Sequence, residues 1–126
     1  MDGVPPLGRL KRRPEFLAAA RGRKAGSAAV GLQALRRNDG RNEIRLGFTC
    51  SKKVGNAVER NRARRRLKAA ADSVARELGL PGCDYVLIGR RATIDYPFDR
   101  LVADMRRAFG QTAAKLQPRT VEGGQR

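Results

Sequence analysis

The run SKKVGNAVERNRARRRLK, residues 51–68, holds eight Lys/Arg and one Glu. Arginine presents a planar fork of donors that matches phosphates and base edges. The free backbone N–H groups of a helix N-terminus favour phosphate as well. The chemistry these residues offer is therefore polyanion binding. At helical spacing Arg60, Arg64 and Lys68 form one ridge. Asn61 and Arg65 lie beside it, while Arg62 and Arg66 point further round. An ordinary solvated face is the usual explanation of such a run. Position argues against it here. Cations near a helix N-terminus oppose the macrodipole at about 0.3–1 kcal/mol each, and they repel one another at i, i+4. A docked polyanion relieves both penalties. Lys52 and Lys53, two of the eight cations, stand in the loop that leads directly into the helix.

A second basic cluster, Arg9, Lys11, Arg12 and Arg13, adjoins Phe16. Single-stranded nucleic acid calls for such a mixture, because phosphates meet cations while bases stack on rings. Taken alone, Phe16 is explained more cheaply as the apolar side of a short helix.

Catalysis by the chain itself has little to work with. There is no histidine, which removes the commonest general base and the Ser–His and Cys–His pairs. The twelve acids are scattered, with no D-x-D grouping for two-metal chemistry. The phosphate-binding pattern G-x-x-x-x-G-K-[ST] is missing. Cys50 and Cys83 stand far apart, so two reduced thiols are expected rather than a disulfide framework or a zinc site.

The elements that must position these residues follow from the rest of the sequence. A length of 126 residues suits one domain with one modest core. Aromatics make up only 5%, so that core is aliphatic. The net charge of +16 makes the folded chain repel itself and favours a bound polyanion. No apolar run approaches the roughly 20 residues that span a bilayer. The N-terminus MDGVPPLGRLKRR has no apolar h-region, so a cytoplasmic, membrane-free protein is expected.

Residues 1–8 read as a flexible lead-in, 9–116 as a single domain and 117–126 as a disordered tail. A two-turn helix fits between Pro14 and Gly22. Strands are expected over 28–36 and 43–51, joined by an Asn38-Asp39-Gly40 hairpin signal. In the second strand Ile44, Leu46, Phe48 and Cys50 share one face, with Arg45, Gly47 and Thr49 on the other. A long helix over 56–78 has Asn56 and Glu59 as a capping box and Gly79 as its stop. Its core stripe is Ala63, Leu67, Ala70, Ala71, Val74 and Leu78. Residues 84–89 read as a buried strand. Pro97 opens a last helix with a stripe from Phe98 to Leu116. The order α-β-β-(β)-α-β-α predicts an α+β fold, a two-layer sandwich with the helices on one face of a small mixed sheet.

Lys52-Lys53, Gly55-Asn56-Ala57-Val58 and Arg60-Asn61-Arg62, one after another, resemble the signature of the bacterial ribonuclease P protein component. The opening Arg9-Leu10 to Phe16 and the strand DYVLIGRR, with Arg90-Arg91, are similar as well. The likeness spans residues 9–116. It implies a left-handed β-α-β crossover, where spacing alone would choose the common right-handed one. It also implies two partners, a catalytic RNA subunit and the 5′ leader of precursor tRNA, and no obligate protein partner. By this resemblance the RNA subunit performs endonucleolytic removal of the leader, using Mg²⁺ held mainly by RNA and substrate, and the protein has no catalytic residues. The carried-over RNA contacts are Lys52, Lys53, Asn56, Arg60, Asn61, Arg62, Arg64, Arg65 and Lys68. Arg9, Lys11, Arg12 and Phe16 are the implied leader contacts, and Arg90 and Arg91 join the basic surface. Many members carry a second aromatic four residues after the first. Ala20 stands there in this chain, which shifts weight to backbone electrostatics or to a neighbour such as Phe48. A ribosomal-type RNA binder shares the charge and size but does not need the signature run. A helix-turn-helix protein conflicts with a strand feeding directly into the basic helix.

Overall fold

The strand Cys83–Gly89 is nearly continuously apolar, and it takes the centre of a five-stranded sheet, where both its faces and both its edges are covered. The computed structural model describes residues 5–116. Its elements are β1 (Leu7–Arg9), α1 (Arg13–Ala20), β2 (Arg23–Gly26), β3 (Val30–Arg36), β4 (Ile44–Thr49), α2 (Ala57–Leu78), β5 (Cys83–Gly89), a 3-10 turn (Arg91–Ile94) and α3 (Phe98–Leu116). The strand order is β1-β4-β5-β3-β2. β1, β4 and β5 run parallel, and β3 and β2 are antiparallel additions. This is the expected α+β fold on a mixed sheet, with the parallel β4–α2–β5 unit at its heart.

Two expectations about the strands need correction. The Asn38-Asp39-Gly40 segment does turn the chain, with Asn38 at φ 59° and Gly40 at φ 77°, but β3 and β4 do not pair. β5 is inserted between them, because the most apolar strand gains most from the doubly covered position. Residues 7 and 8 are not lead-in: Leu7–Arg9 adds to β4 as an edge strand. The expected lead-in residues 1–4 and the expected tail 117–126 lie outside the described residues.

The helices also divide between the two faces. α2 and α3 cover one face, burying Leu67, Val74, Met105 and Phe109 against Leu32, Leu46, Tyr85 and Leu87. Tyr85 and Phe109 rings lie 4.5 Å apart at 30°. Burial pushes the Tyr85 hydroxyl up to about 12, and its oxygen accepts the Leu80 N–H at 2.9 Å. α1 alone sits on the opposite face, over Leu10, Val86 and Leu35. The expected stripe of α3 also shifts. Phe98 is 43% exposed beneath the Arg66 guanidinium, while Thr112 is buried and caps its hydroxyl onto the carbonyls of Ala108 and Phe109.

Candidate nucleic-acid interface

α2 begins where its sequence says it should. Glu59 N–H donates to Asn56 Oδ1 at 2.9 Å, and Asn56 N–H donates to Glu59 Oε1 at 2.8 Å, closing the capping box. Ala63, Leu67, Ala70, Ala71 and Val74 are buried, which fixes the helix rotation and turns the arginines outward. Asn61, Arg65 and Lys68 are exposed, as are Lys52 and Lys53 in the preceding loop. Arg64 donates to Asn61 Oδ1 at 2.9 Å, so the two side chains form one surface unit. Arg60 reaches back to the Gly55 carbonyl at 2.8 Å and braces the loop.

Not every arginine of the run is equally free. Arg62 Nε donates to the Ile94 carbonyl at 2.9 Å, and Arg66 Nε donates to Thr93 O at 2.9 Å with a further bond to Tyr96 O. These two bind α2 to the segment after β5. Arg91 does the same from the other side, donating to the Val54 carbonyl at 3.0 Å. Asn56 spends its side-chain oxygen on the cap. The open ridge is therefore Asn61, Arg64, Arg65 and Lys68, with exposed Arg62 beside it and half-buried Arg60 at its base.

A second surface forms on the opposite face of the sheet, and two glycines make it. A Cβ at Gly47 would lie 2.7 Å from Phe16 Cε2, so only glycine lets the Phe16 ring rest on β4. A Cβ at Gly31 would lie 2.7 Å from Arg90 Nη2, so the Arg90 guanidinium lies across β3 in the same way. Between them runs a groove. One hollow of about 410 Å³ is lined by Lys11, Arg13, Phe16, Gln33, Thr49 and Val86. A neighbouring hollow of about 350 Å³ takes in Lys53, Ile88, Arg90 and Arg91. Val86 and Ile88 alternate onto this same face of β5, which makes the floor continuous. Cations stand at both ends of an apolar floor with one aromatic wall.

The groove unites Lys11, Phe16, Lys53, Arg90 and Arg91, but not Arg9 or Arg12. Arg9 points to the other face, where its guanidinium lies 5.1 Å above Phe48, with Lys68 Nζ 5.9 Å from the same ring. Phe48 is thus excluded as a stand-in for the aromatic missing at Ala20. Arg12 precedes the first turn of α1, where its carbonyl accepts from Glu15 N–H. Gln33 and Thr49 are lining residues that sequence reasoning left out, and Arg13, placed in the basic cluster but not among the implied leader contacts, joins them. For Thr49 the strand alternation, which puts it on the face of Gly47, was the available signal.

α1 is held over the groove by charge. Asp84 is only 2% exposed, and it accepts Arg37 Nη1 at 2.8 Å, Arg45 Nε at 2.8 Å and Arg45 Nη2 at 2.7 Å. Arg45 then donates to Glu15 on α1 at 2.9 Å. The N–H groups of Arg12 and Lys11 also bond Glu15, and with Arg45 they hold its carboxyl below the usual carboxylate range. Cys50 and Cys83 are buried free thiols, each pushed up by burial. Among the described residues no group of three or more His, Cys, Asp or Glu is placed to hold a metal ion. No helix among them is long and apolar enough to cross a membrane.

The sequence matches the Ribonuclease P family model over residues 4–113. It is 56% identical over 102 residues to the ribonuclease P protein component of Ruegeria pomeroyi, covering 79% of this chain and 82% of the relative. The chain belongs to the ribonuclease P protein family. A further ribonuclease P protein component, from Gluconacetobacter diazotrophicus, is 52% identical over 108 residues, covering 85% of this chain and 92% of that one. Solved RNase P proteins share the fold. That of Staphylococcus aureus superposes with a TM-score of 0.67 at 21% identity, covering 82% of this chain and 93% of its own. That of Thermotoga maritima gives 0.61 at 22% identity, with coverages of 79% and 96%. Membership ties the chain to ribonuclease P, a tRNA-processing ribonuclease complex, as a protein component associated with its RNA subunit.

Proposed function

We propose that this protein uses its two cationic surfaces for two RNAs of one cytoplasmic assembly. The exposed ridge of α2, with Lys52 and Lys53, docks on the catalytic RNA subunit. The groove beneath α1 takes the single-stranded 5′ leader of precursor tRNA, with Phe16 offering a stacking face and Lys11, Lys53 and Arg90 meeting phosphates. The observation that carries this reading is the placement of both surfaces at one end of the sheet: Lys53 belongs to the loop that opens α2 and also lines the groove. A leader in the groove is then next to the RNA bound by the helix.

Bond cleavage belongs to the RNA subunit, which with the substrate holds the Mg²⁺ that activates the attacking water. Among the described residues no three His, Cys, Asp or Glu side chains gather to hold a metal ion, and four carboxylates are already engaged within the fold. Asp84 is spent on Arg37 and Arg45, Glu15 on Arg45 and backbone N–H groups, Asp104 on Ser27 and Arg107, and Glu77 on Arg106. The protein contributes position and charge. It orients the leader and offsets phosphate repulsion between substrate and ribozyme, which lowers the Mg²⁺ the reaction needs. The test is substrate affinity of the assembly with leader-bearing and leaderless tRNA. A preference for the leader that Phe16→Ala and Arg90→Ala weaken supports the reading, and equal affinity for both substrates in every variant contradicts it.

A further inference from the structure

An open cavity of about 670 Å³ lies at neither proposed surface. It opens at the C-terminal end of α1, whereas the groove begins at the N-terminal end, about 12 Å away along the 8-residue helix. Arg21, Arg23, Arg36 and Lys115 line it, together with the Asn38 amide, and no acidic residue does. Two of the four cations have structural work. Arg36 Nη2 donates to the Leu116 carbonyl at 2.9 Å, and Lys115 Nζ donates to the Lys24 carbonyl at 2.6 Å, so both secure the end of α3. Arg21 and Arg23 are exposed, and among the described residues their side chains have no protein acceptor. Arg23 also sits on edge strand β2, where a charge discourages unwanted strand pairing. That accounts for Arg23 but not for Arg21, which follows α1 and pairs with no strand.

We propose that this cavity is a further phosphate-binding site, which takes the phosphodiester backbone of single-stranded RNA through Arg21 and Arg23. The cavity adjoins the groove along β3, since Gln33 lines the groove and Leu35, two residues on and on the same face, lines the cavity. A strand leaving the groove past α1 therefore arrives at this cavity, and its source by geometry is the distal part of a long leader. This assignment rests on the groove holding the leader. Phosphates of the catalytic RNA share the same chemistry, and the test separates the two.

The experiment uses the holoenzyme assembled from the cognate RNA subunit and Arg21→Gln/Arg23→Gln protein, with Arg36 and Lys115 left intact to keep α3 in place. Affinity is measured for precursor tRNA with a short and with a long leader, and separately for the RNA subunit, each over a range of salt. The expected result is a selective loss of long-leader affinity, with a salt slope shallower by roughly 1–2 because about two phosphate contacts disappear. The Arg21→Lys/Arg23→Lys variant retains the slope. Loss confined to the RNA-subunit affinity keeps the phosphate site and assigns it to that RNA. Unchanged affinities and slopes in both assays, in protein whose melting is unaltered, overturn the proposal. Arg60→Ala/Arg65→Ala serves as the reference: if it too leaves RNA affinity untouched, the reading of the α2 ridge fails as well.

Discussion

Arg45 grips Asp84 with two nitrogens, Nε at 2.8 Å from Oδ1 and Nη2 at 2.7 Å from Oδ2, in a pair that links β4 to β5 beneath α1. Its remaining nitrogen holds Glu15 on α1. One buried carboxylate thus organises the central strands and, through Arg45, the helix that carries Phe16. Buried charges of this kind are costly to break, because the partner left behind stays buried and unpaired.

Asp84→Asn is therefore expected to destabilise the protein by about 3 kcal/mol, since Arg37 and Arg45 lose their shared counter-charge. Urea unfolding measures it. A change well under 1 kcal/mol would mean that solvent reaches these arginines more easily than the geometry indicates.

Acid should loosen α1 before the sheet. The Glu15 carboxyl is held below the usual range first by the Arg12 N–H, then by the Lys11 N–H and Arg45. A depressed carboxylate contributes stability above its unfolded pKa, and that contribution is lost as pH falls through the lowered folded value. Amide exchange across an acid titration should show α1 losing protection before β5, and Glu15→Gln should remove the difference in pH dependence. Simultaneous loss in both elements would contradict this.

Gly47→Ala places a Cβ 2.7 Å from Phe16 Cε2 and 3.0 Å from Leu10 Cδ1. The ring must move, at a cost of about 1–2 kcal/mol for overpacking. Leader affinity should fall while affinity for the RNA subunit stays, since α2 lies on the other face of the sheet. An equal loss in both would show that the two surfaces are not separable.

Arg65 and Arg66 are neighbours with different work. Arg66→Ala removes charged donors from the carbonyls of Thr93 and Tyr96 and should cost about 2 kcal/mol of stability. Arg65→Ala, at an exposed position, should stay within about 0.5 kcal/mol and weaken binding to the RNA subunit. Melting curves and binding titrations on the two variants separate the roles, and matching profiles would contradict the division.

The long basic helix was legible because its signals are local: Asn56 and Glu59 cap it, a regular stripe of Ala, Leu and Val faces the core, and Gly79 ends it. The facing of β4 was legible from alternation, which put Phe48 and Gly47 on opposite sides. β1 and β2 were not, because three- and four-residue edge strands carry too little apolar pattern to register. The insertion of β5 between β3 and β4 is a long-range pairing that the local turn signal at Asn38–Gly40 contradicted. The tie of Arg62 to the Ile94 carbonyl was not legible, because that acceptor is 32 residues away in sequence. The groove was half legible. Phe16 and Lys11 were named from composition, but Gln33 and Thr49 join them only once Gly47 admits the Phe16 ring.

The most direct test of the central claim is precursor-tRNA cleavage at low Mg²⁺ by the cognate RNA subunit, with and without this protein, using leader-bearing and leaderless substrates. The account predicts strong stimulation that requires the RNA subunit, is larger with the leader present, and falls steeply with salt. Cleavage by the protein alone, or no stimulation of the RNA subunit, would contradict it.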